Sequence, residues 1–303
     1  MSDSTLRVIK PLPILPSMLL DASVPEDDHA EYSAGNSYAK GVRVMVLASH
    51  DIWESVVDGN VGNTPGSDKT KWLRVGATNR WKAFDKAINS QVAQSGSITY
   101  RLKPGKAITS VNALNVKGAT SMRVRVVDAA FGVLANEKKQ LRRKSVKKGW
   151  WSFWFGEKQA PTQALFISLP GLPSAEIEIT IEGGSDLAVG VLLLGTSRTF
   201  SMGVKMGARV GIQDFSQKER SQFGDLELVE GNYADRAGFS MLLRAAEVDA
   251  FKRFLTEVRA TPCLWIGSRK YESTTIYGSF KSFEILINYF DYSDAELDLE
   301  SLI

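Results

Sequence analysis

Of 303 residues only one is a cysteine, Cys263, and only two are histidines, His29 and His50. A single cysteine excludes an intrachain disulfide and any thiolate metal cluster. Two histidines leave metal binding and acid–base chemistry short of their usual groups, so no metal and no cofactor is expected. Both histidines stand in polar, loop-like stretches and read as solvated surface. Long apolar runs are missing as well: Leu187 to Leu194 is far below the roughly 20 residues of a membrane span. The apolar stretch Pro11 to Leu20 is broken by Pro11, Pro13 and Pro16 and leads to no small-residue cleavage site, so a secretory leader is not expected and synthesis in the cytosol is. Neither a Gly-x-x-x-x-Gly-Lys-Ser/Thr phosphate loop nor a Gly-x-Ser-x-Gly elbow occurs. The close carboxylates, Glu26/Asp27/Asp28, Asp214/Glu219 and Asp225/Glu227, read as solvated surface, as acidic residues this common mostly are, and the expectation is a protein that is not an enzyme.

What is present is the composition of an ordinary globular chain, 44% hydrophobic and 23% charged, long enough for two or three domains. The net charge of +3 is too small to argue for nucleic acid as a partner. Residues 1–30 hold three prolines within six positions, which forbid a helix and favour an extended arm. Ile9, Leu12, Ile14 and Leu15 are too apolar for a free tail, so the arm is expected to dock on this chain or on another subunit. Residues 31–78 form a small β-module, with Val42 to Val46 as its first strand. From 79 to 200 short strands recur with turn residues between them, at Ile98–Leu102, Ala107–Val116, Met122–Asp128, Phe131–Leu134, Gly149–Phe155, Ala164–Leu169, Ala175–Glu182 and Leu187–Leu194, which predicts an antiparallel β-sandwich. From 201 to 303 the pattern is α+β. Ala245 to Ala260 reads as a helix with Val248, Phe251, Phe254, Leu255 and Val258 on one stripe. Pro262 stops that helix, and Cys263 to Gly267 returns as a buried strand. The fold class is therefore mainly β with a C-terminal α+β domain, a sheet with one packed helix.

The most unusual chemistry lies between Lys138 and Phe155. Seven of the eleven residues from Lys138 to Lys148 are basic, and five of the six from Trp150 to Phe155 are aromatic. Read as a strand, the aromatic run is apolar on both faces, which suits a buried strand or a subunit contact. A polyanion contact through Lys138, Arg142, Arg143 and Lys147 is a second reading, and a membrane interface a third; nucleic acid and membrane are the lesser expectations. Subunit contacts are expected at Ile14 and Leu15 of the arm, at Trp150, Trp151 and Trp154, and at the apolar end Leu302 and Ile303.

The order Tyr38-x-x-Gly41-x-x-Val44, Trp53 and Gly62-x-x-Pro65 before Trp72 resembles the chitin-binding-type carbohydrate-binding modules of chitinases, and the small β-modules of phage tail proteins. In such modules exposed aromatics stack on sugar rings, which by position implies Tyr32, Trp53 and Trp72 here. The alternative is that these rings form the module's own miniature core. Further along, Val189 to Thr196, Val210 to Glu219, Phe223-Gly224-Asp225, the helix end Arg259 to Gly267, Tyr277-Gly278 and the terminal Leu297-x-Leu299-Glu300-x-Leu302-Ile303 resemble tail-associated structural proteins of tailed bacteriophages, as does Thr78 to Asp85. That resemblance implies a non-enzymatic virion component of the tail or baseplate, a homo-oligomer assembled in the host cytoplasm with other tail proteins. A host-surface glycan binder is the alternative function. A glycan-cleaving enzyme follows only from the carbohydrate-type module riding on a sandwich.

Overall fold

The structure is a computed structural model that describes residues 5–141, 144–145, 150–155, 158–200, 202–205, 207–220, 225–268 and 271–302. It is mainly β, with antiparallel pairing throughout its named strands and one long helix, Ala245–Val258. The chain divides into two units. One comprises residues 13–193, the other residues 1–12 together with 194–303. The strand Glu176–Phe200 gives its first part to the former and its end to the latter.

Within the 13–193 unit, the strands Arg43–Val46, Asp51–Ser55 and Trp72–Ala77 form the small module's own three-stranded sheet. The larger sheet places Leu19–Ala22 on Ser97–Leu102, and Ser97–Leu102 on Ile177 to Glu182. The alternation in Ile177 to Glu182 works as its period requires: Ile177, Ile179 and Ile181 are buried with Ile98, Tyr100 and Leu102, and the glutamates stay outside. Two pairs of expected strands are each one long strand instead, Ser110–Asp128 and Glu176–Phe200. Lys117-Gly118 and Gly183-Gly184 look like turns in sequence. They are bends that approach each other: a Cβ on Gly183 would lie 2.5 Å from the carbonyl oxygen of Gly118, and Gly118 itself has φ +68°. Beyond the bend, Ser121 to Asp128 pairs with Gly132–Gln140, while Ser110 to Leu114 pairs with Gln163–Ile167.

The segment Trp150–Phe155, expected as a strand, is a short helix. Its aromatics fall at 150, 151, 153, 154 and 155, with no period of two. Helical spacing places Trp150 and Trp154 on one side.

In the second unit the N-terminal residues are not a separate arm. Leu6–Pro11 is a strand between Thr196 to Phe200 on one side and Cys263–Ile266 on the other. Leu6, Val8 and Ile9 are fully buried there, and Pro11, which cannot donate to a ladder, sits at the strand's end. The remaining order is Cys263–Ile266, Thr275–Leu286, Tyr292–Ser301 and Tyr233–Arg244. The acidic C-terminal segment is a strand: Ala295, Leu297 and Leu299 are buried, and Asp294, Glu296, Asp298 and Glu300 face outward. The helix lays Phe251, Phe254, Leu255 and Val258 onto the apolar face of this sheet beside Phe239, Met241 and Trp265. The Trp265 indole donates to Gly278 O at 3.0 Å, so the large core ring leaves no unmet donor. Glu247 accepts the Arg244 N–H at 3.3 Å and closes the helix start. Gly278 admits no side chain, since a Cβ there would lie 2.0 Å from the carbonyl oxygen of Glu300.

Cys263 lies inside this core. Burial, with Glu257 adding to it against Lys10, pushes its thiol up to about 12. At pH 8 only about one thiol in ten thousand would then be ionised. The folded protein is expected to be silent toward Ellman's reagent and to react once unfolded. Rapid modification of native protein would contradict the packing described.

Candidate interaction surface

The three residues expected to stack on sugars lie in different settings. Trp72 is 1% exposed and forms the module's core with Tyr38 and Val44. Its indole donates to Asn63 O at 2.7 Å, just past Gly62, whose φ of +72° makes the turn. It therefore offers no face to a ligand, and its expected role as a stacking platform is corrected to that of a core residue. Tyr32 stands edge-on to Trp72 at 5.9 Å and stacks on Tyr38 at 5.8 Å. Trp53 is half-buried on the same face of the sheet, its ring 3.4 Å from the space a Cβ on Gly66 would fill. Forty-odd residues have little else to bury, and the module spends its aromatics on its own stability.

That module is tied to the rest of its unit through Glu26. One oxygen of its carboxylate accepts the Thr78 hydroxyl at 2.7 Å and lies 2.8 Å from His50 Nδ1; the other is 3.6 Å from the Arg80 guanidinium. Arg80 Nε donates to Val24 O at 2.7 Å, and its carbonyl accepts the Tyr100 hydroxyl at 2.7 Å. Burial pushes the Tyr100 phenol well above its ordinary pKa. His50 stacks on Trp81 at 4.3 Å. The expectation of a solvated His50 is thus corrected: its ring is held between an indole and a carboxylate that is 6% exposed. Sequence could not join Glu26, His50, Thr78 and Arg80, because only the closed sheet brings them together.

The basic and aromatic stretch divides. Lys138 forms an ion pair with Glu182 at 2.8 Å, and Lys139 Nζ stands over the Phe166 ring at 4.7 Å, so both ammonium groups are engaged by their own unit. Lys138 and the Ser121 hydroxyl hold the Glu182 carboxyl below the usual range. Arg142, Arg143 and Lys147 lie outside the described residues, as does Ile303. Trp150, Trp151 and Trp154, expected in a buried strand or a contact, are 74%, 68% and 59% exposed on the short helix. Leu15 is exposed at 52%, and Ile14 is half-buried. Leu302 is half-buried, with its N–H donating to Tyr277 O at 3.1 Å, so it continues this chain's own sheet.

The second unit shows apolar surface that the sequence reading passed over. Arg209–Asp214 pairs with Tyr233 to Gly238, and beyond it Gln217–Arg220 and Leu226–Val229 form a two-stranded ribbon. Val210, Ile212, Phe215, Leu228, Val229 and Tyr233 are all exposed along this arm. At its turn Asp214 accepts from Lys218 Nζ at 2.6 Å and from the Ser216 hydroxyl and amide, which hold the carboxyl far below its ordinary pKa. A second apolar knob is the loop Ile287 to Phe290, where Phe290 is fully exposed. It lines a groove of ≈ 660 Å³ with Val248 and Ser293. Both were visible in sequence as apolar residues, but that signal does not differ from that of a half-buried strand.

On the outward face of the same sheet, Glu284 stands directly opposite Glu296, and neither has an ion-pair partner among the described residues. Like charges across a strand pair repel. Glu296→Lys is expected to stabilise this unit by about 0.5 kcal/mol. A rise in melting temperature at low salt that shrinks at high salt checks it.

Among the described residues no three His, Cys, Asp or Glu side chains come together as a metal-binding group. Comparison with known proteins gives no matching family model, no matching curated protein and no matching solved structure.

Proposed function

We propose that the chain is a non-enzymatic structural component of a bacteriophage tail (baseplate, tail tip or fibre-attachment adaptor), acting through interfaces with copies of itself and with other tail proteins. The observation that supports this most is the arm at 209–229. A two-stranded ribbon has no core of its own and is marginal in isolation. This one keeps Leu228 and Val229 in solvent, and the strand before it does the same with Val210 and Ile212, an arrangement that becomes favourable when a neighbour covers it. The order of motifs along residues 31–303 is consistent with the same reading. Electron microscopy of purified virions with an antibody to this chain tests it: tail labelling is expected, and labelling confined to the capsid would sink it.

The glycan-binding alternative now rests on Tyr32 and Trp53, since Trp72 is core. Titration with chitin oligomers or host lipopolysaccharide should quench the Trp53 emission on this reading. No response across the series removes it.

A further inference from the structure

We infer that the outer edge of the strand Arg209–Asp214 pairs with the same edge of a second copy of this chain, antiparallel about a two-fold axis at Gly211. This pairing rests on the reading that a neighbour covers the arm, and it names the neighbour and the register. The strand bonds on one side, to Tyr233 to Gly238, and no other named strand pairs with it. Phe215 N–H donates to Asn232 O at 3.0 Å in the same register. By the alternation of an antiparallel ladder, positions 209, 211 and 213 then direct their backbone groups inward, and Val210, Ile212 and Asp214 direct theirs to the outer edge. Such edges are ordinarily blocked by proline, lysine, a bulge or a covering element. Here Val210 to Gln213 carry no charge and no proline, and the register runs without a bulge. Both faces are open as well: Val210 and Ile212 are 52% and 62% exposed, and a Cβ on Gly211 would meet nothing within 4 Å.

Symmetry selects the register. A two-fold axis that continues the sheet stands perpendicular to it, which keeps each face and pairs odd positions with odd and even with even. Centred at Gly211, it sets Val210 against the partner's Ile212 and Ile212 against the partner's Val210. These are the positions whose backbone groups point outward, so each pair exchanges two hydrogen bonds. Their four side chains fall on one face as apolar cross-strand pairs. On the other face the two glycines meet at the axis without side chains. Arg209 stands opposite the partner's Gln213, a residue whose side-chain oxygen has no hydrogen-bond partner among the described residues. Asp214 falls opposite the partner's Ala208, so no like charges come face to face. An axis at Val210 would set Ile212 against the partner's Ala208. One at Ile212 would set Val210 against the partner's Asp214, and either loses the apolar match.

A contact this short lies at the small end of interfaces, where association is weak, so the test traps it covalently. Cys263 is buried, which leaves an introduced cysteine as the reactive one in the full chain. Opposed Cα atoms about 4.5–5.5 Å apart lie within the reach of a disulfide. Under mild oxidation Gly211→Cys is expected to form a disulfide dimer at least about tenfold faster than Leu228→Cys, a position 62% exposed on the far limb of the ribbon. Val210→Cys mixed with Ile212→Cys should link to each other in preference to themselves. Adding Ile212→Lys to Gly211→Cys should slow linkage at least about tenfold while circular dichroism stays unchanged. Gly211→Cys linking no faster than Leu228→Cys would overturn the inference. So would Val210→Cys linking to itself as fast as to Ile212→Cys, or linkage indifferent to the lysine. The assay uses purified chain without virions. Tail labelling without the link would leave the tail reading standing and sink the pairing, and the link with labelling confined to the capsid would do the reverse.

Discussion

Removing residues 1–12 is expected to unfold the unit that contains residues 194–303. The Leu6–Pro11 strand is paired on both sides, to Thr196 to Phe200 and to Cys263–Ile266, so its loss opens two strand edges at once. Leu6, Val8 and Ile9 are each fully buried, and burial of such a side chain is worth about 1.5–3 kcal/mol. Together with the lost ladder bonds this rivals the whole stability of a domain, about 5–15 kcal/mol. The milder Leu6→Ala is expected to cost about 2–5 kcal/mol and leave a folded but weaker unit. Cys263 reports the result: its thiol should react with Ellman's reagent at once in the truncated chain and slowly in Leu6→Ala. Protection of Cys263 in the truncated chain would show that the strand is dispensable.

The second large effect is expected at Trp72. Its indole is 1% exposed, packs with Tyr38 and Val44, and donates to Asn63 O. Trp72→Ala should cost about 3–5 kcal/mol, more than so small a module can withstand. Amide exchange over residues 43–55 and 72–77 should become fast, while Ser97–Leu102 and Glu176–Glu182 stay protected. Trp53→Ala, at a half-buried ring, should leave those amides slow. A Trp72→Ala module that stayed protected but no longer responded to glycan would restore the stacking role for this residue.

The mainly β class, the amphipathic helix and its stop at Pro262 were readable in sequence because they rest on local chemistry: a period of two in Ile177 to Glu182, a period near 3.6 in Val248 to Val258, and a proline that cannot continue a helix. The misread elements depend on partners remote in sequence. Lys117-Gly118 and Gly183-Gly184 have the composition of turns, and only their mutual approach makes them bends in two long strands. Leu6 to Pro11 carries the apolar residues of a strand, but nothing local says that its neighbours are 184 to 259 residues away. Trp150 to Phe155 has no dominant period and took helical form. For the candidate surface, aromatic content at 150–154 was visible while its exposure was not. Trp72 shows the converse: a residue type that fits a sugar platform and a core equally well.

The placement of the N-terminal strand also sets an order of events in time. Ile266, the partner of Arg7 in the sheet, is made some 259 residues after it. At about 5–20 residues per second the strand waits roughly tens of seconds for its place. Residues 13–193 are complete in the interval and contain all the strands of their own sheets except the end of Glu176–Phe200. Synthesis therefore favours that unit closing first, with the Leu6–Pro11 strand short of one of its two neighbours until Cys263–Ile266 is made. Such a late, long-range closure is slow and leaves the nascent chain dependent on protection from aggregation.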